Sequence, residues 1–362
     1  MLETEPVRGT SEIIKIPKYE DKLLTILDRT TVLYGGTASG KTTMAKHLMW
    51  IMKEYFPIVY AFNPEEADNH SYEGIVPKQL IFEKLDPKFF FDLCKKQKLA
   101  TQIYKQANKL QDLSSLFEKC ASQNELTQKQ SMQKCYQQTQ KSINTKCLPE
   151  LRKKKLKKLE ESYEFFLTKF YKSVIRNNRD SLMKNPNLNN MEQATLKFIN
   201  LNPRVLLIFD DCTMELNKLL KNKEYSVIQD MFFKGRHSYI TCIYLLHDDK
   251  QLNPDLRKNA HNSIFCKKNV AVGFAGKPAN GFSLDDKKRF GAAAETIFGN
   301  GKFCKMMFSI LDPDNQFYHV TAKEHDDLKL CGEAIWNYCK GIKKKEDEFD
   351  DENPFYSDYF GD

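Results

Sequence analysis

Apolar and polar positions follow two different rhythms along the chain. Between residues 30 and 85, and again after 204, short apolar runs end at turn residues and alternate with segments of helical spacing. "TTVLY" (30–34) predicts a buried strand and "TTMAKHLMWIMKEYF" (42–56) a helix. "PIVYAFNP" (57–64) predicts a second strand, and "QLIFEKL" (79–85) a short edge element. Strand signals return at "RVLLIFDDC" (204–212), "SYITCIYLLH" (238–247) and "NSIFC" (262–266), with a helix around "NPDLRKNAH" between the last two. "KFCKMMFSIL" (302–311) and "QFYHVTA" (316–322) predict a closing hairpin with Pro313 and Asp314 in its turn, and a last helix is expected over 324–342.

From 88 to 200 the rhythm changes. Glycine is absent, Gln, Lys and Leu dominate, and apolar residues recur at helical spacing. Two long helices are expected, over "SLFEKCASQNELTQKQSMQKCYQQTQKSI" and "ELRKKKLKKLEESYEFFLTKFYKSVIRNNR", split near Pro149. The resulting organisation is a strand–helix core in two parts, 1–87 and 201–342, with a mostly helical basic insertion over 88–200. An acidic, disordered tail is expected over 343–362. Strand–helix alternation of this kind predicts an α/β fold with a mostly parallel central sheet, its site at the carboxyl ends of the strands.

Composition sharpens this picture in two ways. The net charge of +8 is uneven. Residues 92–184 hold 21 basic and 9 acidic residues, whereas "EDEFDDENPFYSDYFGD" (346–362) holds eight acids and no base. A basic module with an acidic tail suggests contact with a polyanion and some self-screening. The tail carries Phe349, Phe355, Tyr356, Tyr359 and Phe360 among its acids, so it could also bind a partner as a short segment. The ten cysteines are scattered with no C-x-x-C pair, which argues against a zinc ribbon and favours a reduced intracellular setting. No run approaches eighteen uninterrupted apolar residues, and "MLETEPVRGTSEIIKIP" lacks an apolar core, so neither membrane insertion nor a secretory signal is expected.

Candidate chemistry begins at "GGTASGKTT" (35–43), which fits G-x-x-x-x-G-K-[ST] between a strand and a helix. Gly35, Gly36, Thr37, Ala38, Ser39, Gly40, Lys41, Thr42 and Thr43 are expected to cradle the phosphates of ATP. Backbone N–H groups and the helix's positive end point inward there. Lys41 would reach the β and γ phosphates, and Thr42 would offer its hydroxyl to Mg²⁺. "RVLLIFDDC" supplies two carboxylates at a strand end, Asp210 to hold Mg²⁺ and Asp211 to polarise an attacking water as general base. Arg236 precedes the next strand, where it could face a neighbouring subunit, and His247 ends that strand, where it could sense the γ-phosphate. Arg257 and Arg204 are alternative arginine fingers.

The order of these motifs resembles the genome-packaging ATPases of large eukaryotic DNA viruses, the poxvirus-type branch of the FtsK–HerA superfamily. "GGTASGKTT", "LLIFDDC" and above all "GRHSYITCIYLLHDDKQLNPDLRKNAHNSI" carry the resemblance, over about 30–85 and 200–312. His247 stands where that family usually has a glutamine, and Asp211 where the family commonly has Glu or Asp, with the shorter reach of the two. The resemblance implies a RecA-like P-loop NTPase of the additional-strand type and an ATPase coupled to double-stranded DNA translocation. It further implies a homo-oligomeric ring, capsid or portal-vertex partners, and a place in the host cytoplasm (the viral factory) or the virion. A helicase or repair translocase of the same superfamily would share every catalytic residue. A nucleotide kinase would need an arginine-rich lid, and a GTPase an Asn-Lys-x-Asp base reader; neither is evident. The basic stretch "LRKKKLKKLEESYEFF" (151–166) could track a phosphate backbone, and no base-reading motif appears.

Overall fold

Two paired residues at each end of the N-terminal segment, β1 (Leu2–Glu3) and β2 (Lys15–Ile16), form a small antiparallel ribbon that the sequence pattern had not signalled. The five residues of β3 (Thr30–Tyr34) are then all buried, as a central strand requires. The computed structural model describes residues 1–19, 25–212, 214–216, 218, 226–301, 303–311 and 316–341. Within these, the chain divides into two compact units, one of residues 1–97 with those from 203 onward, the other of residues 98–202.

The first unit is built on β3, β4 (Ile58–Phe62), β5 (Ile81–Phe82), β6 (Val205–Asp210), β7 (Ile240–Leu246), β8 (Asn262–Phe265), β9 (Cys304–Ser309) and β10 (Phe317–Thr321). Among the described residues these make one sheet in the order β10-β9-β8-β3-β7-β6-β4-β5. The strands from β8 to β5 run parallel, and β9 and β10 join antiparallel at one edge. β6 and β7 are buried along their whole length, which is why both read as continuous apolar runs rather than alternating ones. Helix α1 (Lys41–Met52) follows β3 directly and buries Met44, Ala45, Leu48, Met49 and Met52 at helical spacing. This is the α/β P-loop NTPase fold. One strand, β7, separates the loop-bearing strand β3 from the carboxylate-bearing strand β6.

The expected closing hairpin is the β9–β10 pair, with Phe317 opposite Phe308; its turn residues Pro313 and Asp314 lie outside the described residues. The acidic tail also lies outside them. The last helix is shorter than expected, Glu333–Gly341. Ahead of it, residues 322–332 run as a coil whose backbone bonds Ile75 and Pro57, so pairing across the surface replaces helical bonds there. Two helices, Lys268–Gly276 and Leu284–Gly299, occupy a stretch to which no element had been assigned. After β4 comes a single turn, α2 (Glu66–Asn69).

The helical stretch holds α3 (Pro87–Ala107), α4 (Leu110–Cys120), α5 (Gln123–Lys146), α6 (Pro149–Asn177), α7 (Arg179–Met183) and α8 (Asn190–Phe198). The first of the two long helices expected there is two. Ser122 caps α5 through a reciprocal bond pair with Glu125, and the chain is extended at Ala121. A serine followed three residues later by glutamate favours a new start over continuation. The break near Pro149 stands as expected, with that proline in the first turn of α6. The second unit has its own core, including Leu116, Phe117, Tyr171, Ile175, Leu196 and Ile199.

Candidate active site

Register alone brings the site together. Tyr34 lies opposite Leu246, and Leu245 opposite Asp210, so β3, β7 and β6 end level with one another. The residues just past those ends, Gly35 onward, His247 and Asp211, therefore meet at one edge of the sheet. The loop over Gly35–Gly40 is pinned at its base, where the Gly35 N–H donates to the Leu246 carbonyl (3.0 Å). A Cβ at Gly35 would lie 2.4 Å from Ser39 Oγ and 2.8 Å from Cys266 Cβ, so only glycine fits. Gly40 takes a left-handed φ of 78° as the N-cap of α1, and no side chain caps that helix. Its first N–H groups thus point at the loop's concavity with the helix dipole behind them, an arrangement suited to phosphate oxygens. Gly36 faces open space, Thr37 and Ala38 are exposed, and Thr42 and Thr43 sit half-buried in the first turn of α1.

Around this loop the charged side chains converge. Lys41, buried, places Nζ 3.1 Å from Oδ1 of Asp211. The same oxygen lies 3.0 Å from Nε2 of His247. Asp211 has a left-handed backbone (φ 51°), a conformation that costs free energy outside glycine and turns its carboxylate off the strand direction toward the loop. Asp210, still within β6, points elsewhere: its Oδ2 accepts a 2.9 Å hydrogen bond from the Tyr72 hydroxyl. Burial and the adjacent Asp211 carboxylate push the Asp210 carboxyl up to about 6. Tyr72 is itself carried in by local bonds: Asn63, at the end of β4, donates to Glu66, and Glu66 accepts from the Tyr72 backbone N–H (2.8 Å). Burial and Asp210 raise the Tyr72 phenol well above its usual value, so it is a donor at any ordinary pH.

A residue that sequence reasoning missed completes the loop. Lys305, at an inward position of β9 and buried, donates to the Ser39 carbonyl (2.8 Å) and the Cys266 carbonyl (3.4 Å). It braces the loop from below. The signal was present, since a lone lysine inside the apolar run "CKMMFS" needs acceptors once buried. Tyr72 left no comparable signal in the sequence.

Arg236 stands apart from these residues. It lies in the turn Gly235–Ser238, before β7, exposed and close enough to Arg29 and His261 to influence both. That is the amino edge of the sheet. The seven residues of β7 separate it from the phosphate loop by about 20 Å at the usual rise per residue. Arg257 is buried and bonded to the Asp249 carbonyl (2.8 Å) and carboxylate (3.2 Å), an internal ion pair rather than a projecting cation. Arg204 pairs with Asp28 at 3.1 Å.

The uncharacterized protein B354L of African swine fever virus is 30% identical over 358 residues, covering 95% of this chain and 96% of the relative, in a warthog isolate and equally in a tick isolate. The chain belongs to the B354L family. No protein-family model matches it. Among solved structures, the genome packaging NTPase B204 of Sulfolobus turreted icosahedral virus 2, in complex with sulfate, aligns over 82% of this chain and 98% of its own length. The identity is 11% and the TM-score 0.36. The plasmid coupling protein TrwB, in complex with ADP and Mg²⁺, aligns over 92% of this chain and 97% of its own, at 10% identity and a TM-score of 0.35.

Proposed function

We propose that the chain is an ATP-hydrolysing double-stranded DNA translocase, the packaging motor of a large DNA virus, acting as a homo-oligomeric ring. The observation that carries the reading is the convergence of Lys41, Asp211 and His247 beside an uncapped helix end, with Asp210 buried next to them. A single acid suffices to hold a metal. A second acid in reach of the loop lysine suits hydrolysis by an activated water.

ATP would lie along Gly35–Thr43, its β and γ phosphates taken by Lys41, which must exchange Asp211 for phosphate. The residues fit Mg²⁺, which at nucleotide sites takes few protein ligands and the rest from phosphate and water. Thr42 would hold it, with Asp210, turned to Tyr72, reaching it through water, and it would neutralise charge on the transferring group. Once Lys41 has left, Asp211 would accept a proton from water. His247 touches Oδ1 of Asp211 and so would link the γ-phosphate's presence to β7. Arg236, at the far edge of the sheet from its own loop, would serve a neighbour's site.

The motif order read from the sequence and the membership in a family of a large DNA virus support packaging over repair. Capsid or portal-vertex proteins would be partners, duplex DNA would be held without base specificity, and the place of action would be the viral factory in the host cytoplasm or the virion. The test is phosphate release from ATP with and without duplex DNA. The expected result is several-fold stimulation that fades as salt rises. Phosphate transfer to a nucleoside with no response to DNA would overturn the reading.

A further inference from the structure

We infer that one exposed face of α6, formed by Leu151, Lys154, Lys155, Lys158, Phe165, Phe166 and Lys169, is the surface on which this protein grips a DNA strand. The inference rests on the translocase reading above. At roughly 100° per residue, these seven positions fall within one arc of about 120°. Leu156, Leu159, Tyr163 and Leu167 fall on a different arc, and they are half-buried or buried. All seven positions of the first arc are exposed.

The acids of α6 avoid this face. Its four glutamates, Glu150, Glu160, Glu161 and Glu164, all fall outside the arc, and the ion pair Lys157–Glu161 (3.9 Å) lies with them. A helix face that merely kept the protein soluble would mix both signs. It would also not leave Phe165 and Phe166 55% and 56% exposed on the same face as a half-exposed Leu151. The two rings meet edge to face at 5.7 Å, and Lys169 Nζ lies 4.5 Å above the Phe165 ring. Cations interleaved with exposed aromatic rings suit a polyanion that carries flat apolar groups of its own, which is a nucleic acid strand. From Leu151 to Lys169 the face is about 27 Å long, enough to follow about eight phosphates of one strand. Extra cations at Lys141, Lys146, Arg152 and Lys153 surround the turn between α5 and α6, where Glu150 is the lone acid between residues 141 and 158.

The experiment uses the full chain and a fluorescent duplex of roughly 30 base pairs, with the matching single strand as a second probe, titrated by anisotropy from low to moderate salt. Two variants are compared with wild type: Lys154→Gln/Lys155→Gln/Lys158→Gln/Lys169→Gln, and Phe165→Ala/Phe166→Ala. Every substituted side chain is exposed, so ATP hydrolysis without DNA stays at the wild-type rate and reports correct folding. The lysine variant should bind duplex at least tenfold more weakly, with a salt slope smaller by about three to four, as loss of four phosphate contacts requires. The phenylalanine variant should keep the slope and lose several-fold affinity for the single strand. If wild type binds DNA and the lysine variant matches it in affinity and slope, the inference is wrong while the translocase reading survives. If wild type binds no DNA, both fall together. A phenylalanine variant that matches wild type removes the rings from the surface, and variants that change only the oligomer's size make the face a contact between copies.

Discussion

Asp210 carries an unusual cost for a strand-end carboxylate. Burial and Asp211 hold its carboxyl up to about 6, against about 4 when unfolded, so the native state retains a proton that the unfolded chain releases. Its contribution to stability is therefore full below pH 4 and lost as the pH rises through 6. Asp210→Asn has no charge to bury, so it should gain stability over wild type between pH 5 and pH 8, by on the order of 2 kcal/mol. Melting both proteins without nucleotide across that range checks this; a difference that does not change with pH would contradict it. Asp211 is the opposite case, bonded to Lys41 and His247 and proposed as the base. Asp211→Asn should bind a fluorescent ATP analogue nearly as wild type does, while turnover falls by a factor of at least 100. Normal turnover would reassign the base. The loop and the two acids were legible as motifs at strand ends, and the structure brings Asp211 to Lys41. Tyr72 was not, because its role comes from a fold that brings residues 72 and 210 together, and nothing local distinguishes it.

At the scale of elements, the phosphate loop depends on a brace from a strand that follows it by more than 260 residues. Lys305 satisfies the Ser39 and Cys266 carbonyls from inside β9. Lys305→Met keeps the volume and removes the donor, leaving two buried carbonyls without their charged partner. The expected cost is about 2–3 kcal/mol, with at least tenfold weaker ATP binding, read by calorimetry and thermal melting. An unchanged affinity would mean the loop holds its shape without the brace. The sheet strands themselves were readable, since buried parallel strands such as β6 and β7 are short apolar runs that few other structures produce. Helix boundaries were less so. Ser122 ends one helix and begins another inside a single periodic stretch, and the apolar spacing runs on across the break. The coil over 322–332 reads as helical but spends its bonds on Ile75 and Pro57, which no local pattern encodes.

For the whole molecule, Arg236 lies at the amino edge of the sheet, away from its own phosphate loop, so the proposed finger role requires a neighbouring subunit. In the proposed ring, a neighbour's arginine would add a cation at the γ-phosphate beside Lys41. Arg236→Ala should bind ATP and fail to hydrolyse it, and Lys41→Ala should also be inactive. Mixed together, some interfaces would join an intact loop to an intact arginine, and partial turnover should return. Mixed assemblies that stay inactive would remove Arg236 from the site. Movement along duplex DNA is measured most directly by displacement of a third strand from a DNA triplex, which does not require strand separation. Wild type with ATP should release the third strand and leave the duplex intact, and Lys41→Ala should release none. ATP hydrolysis without displacement, or displacement only with unwinding of the duplex, would contradict the account.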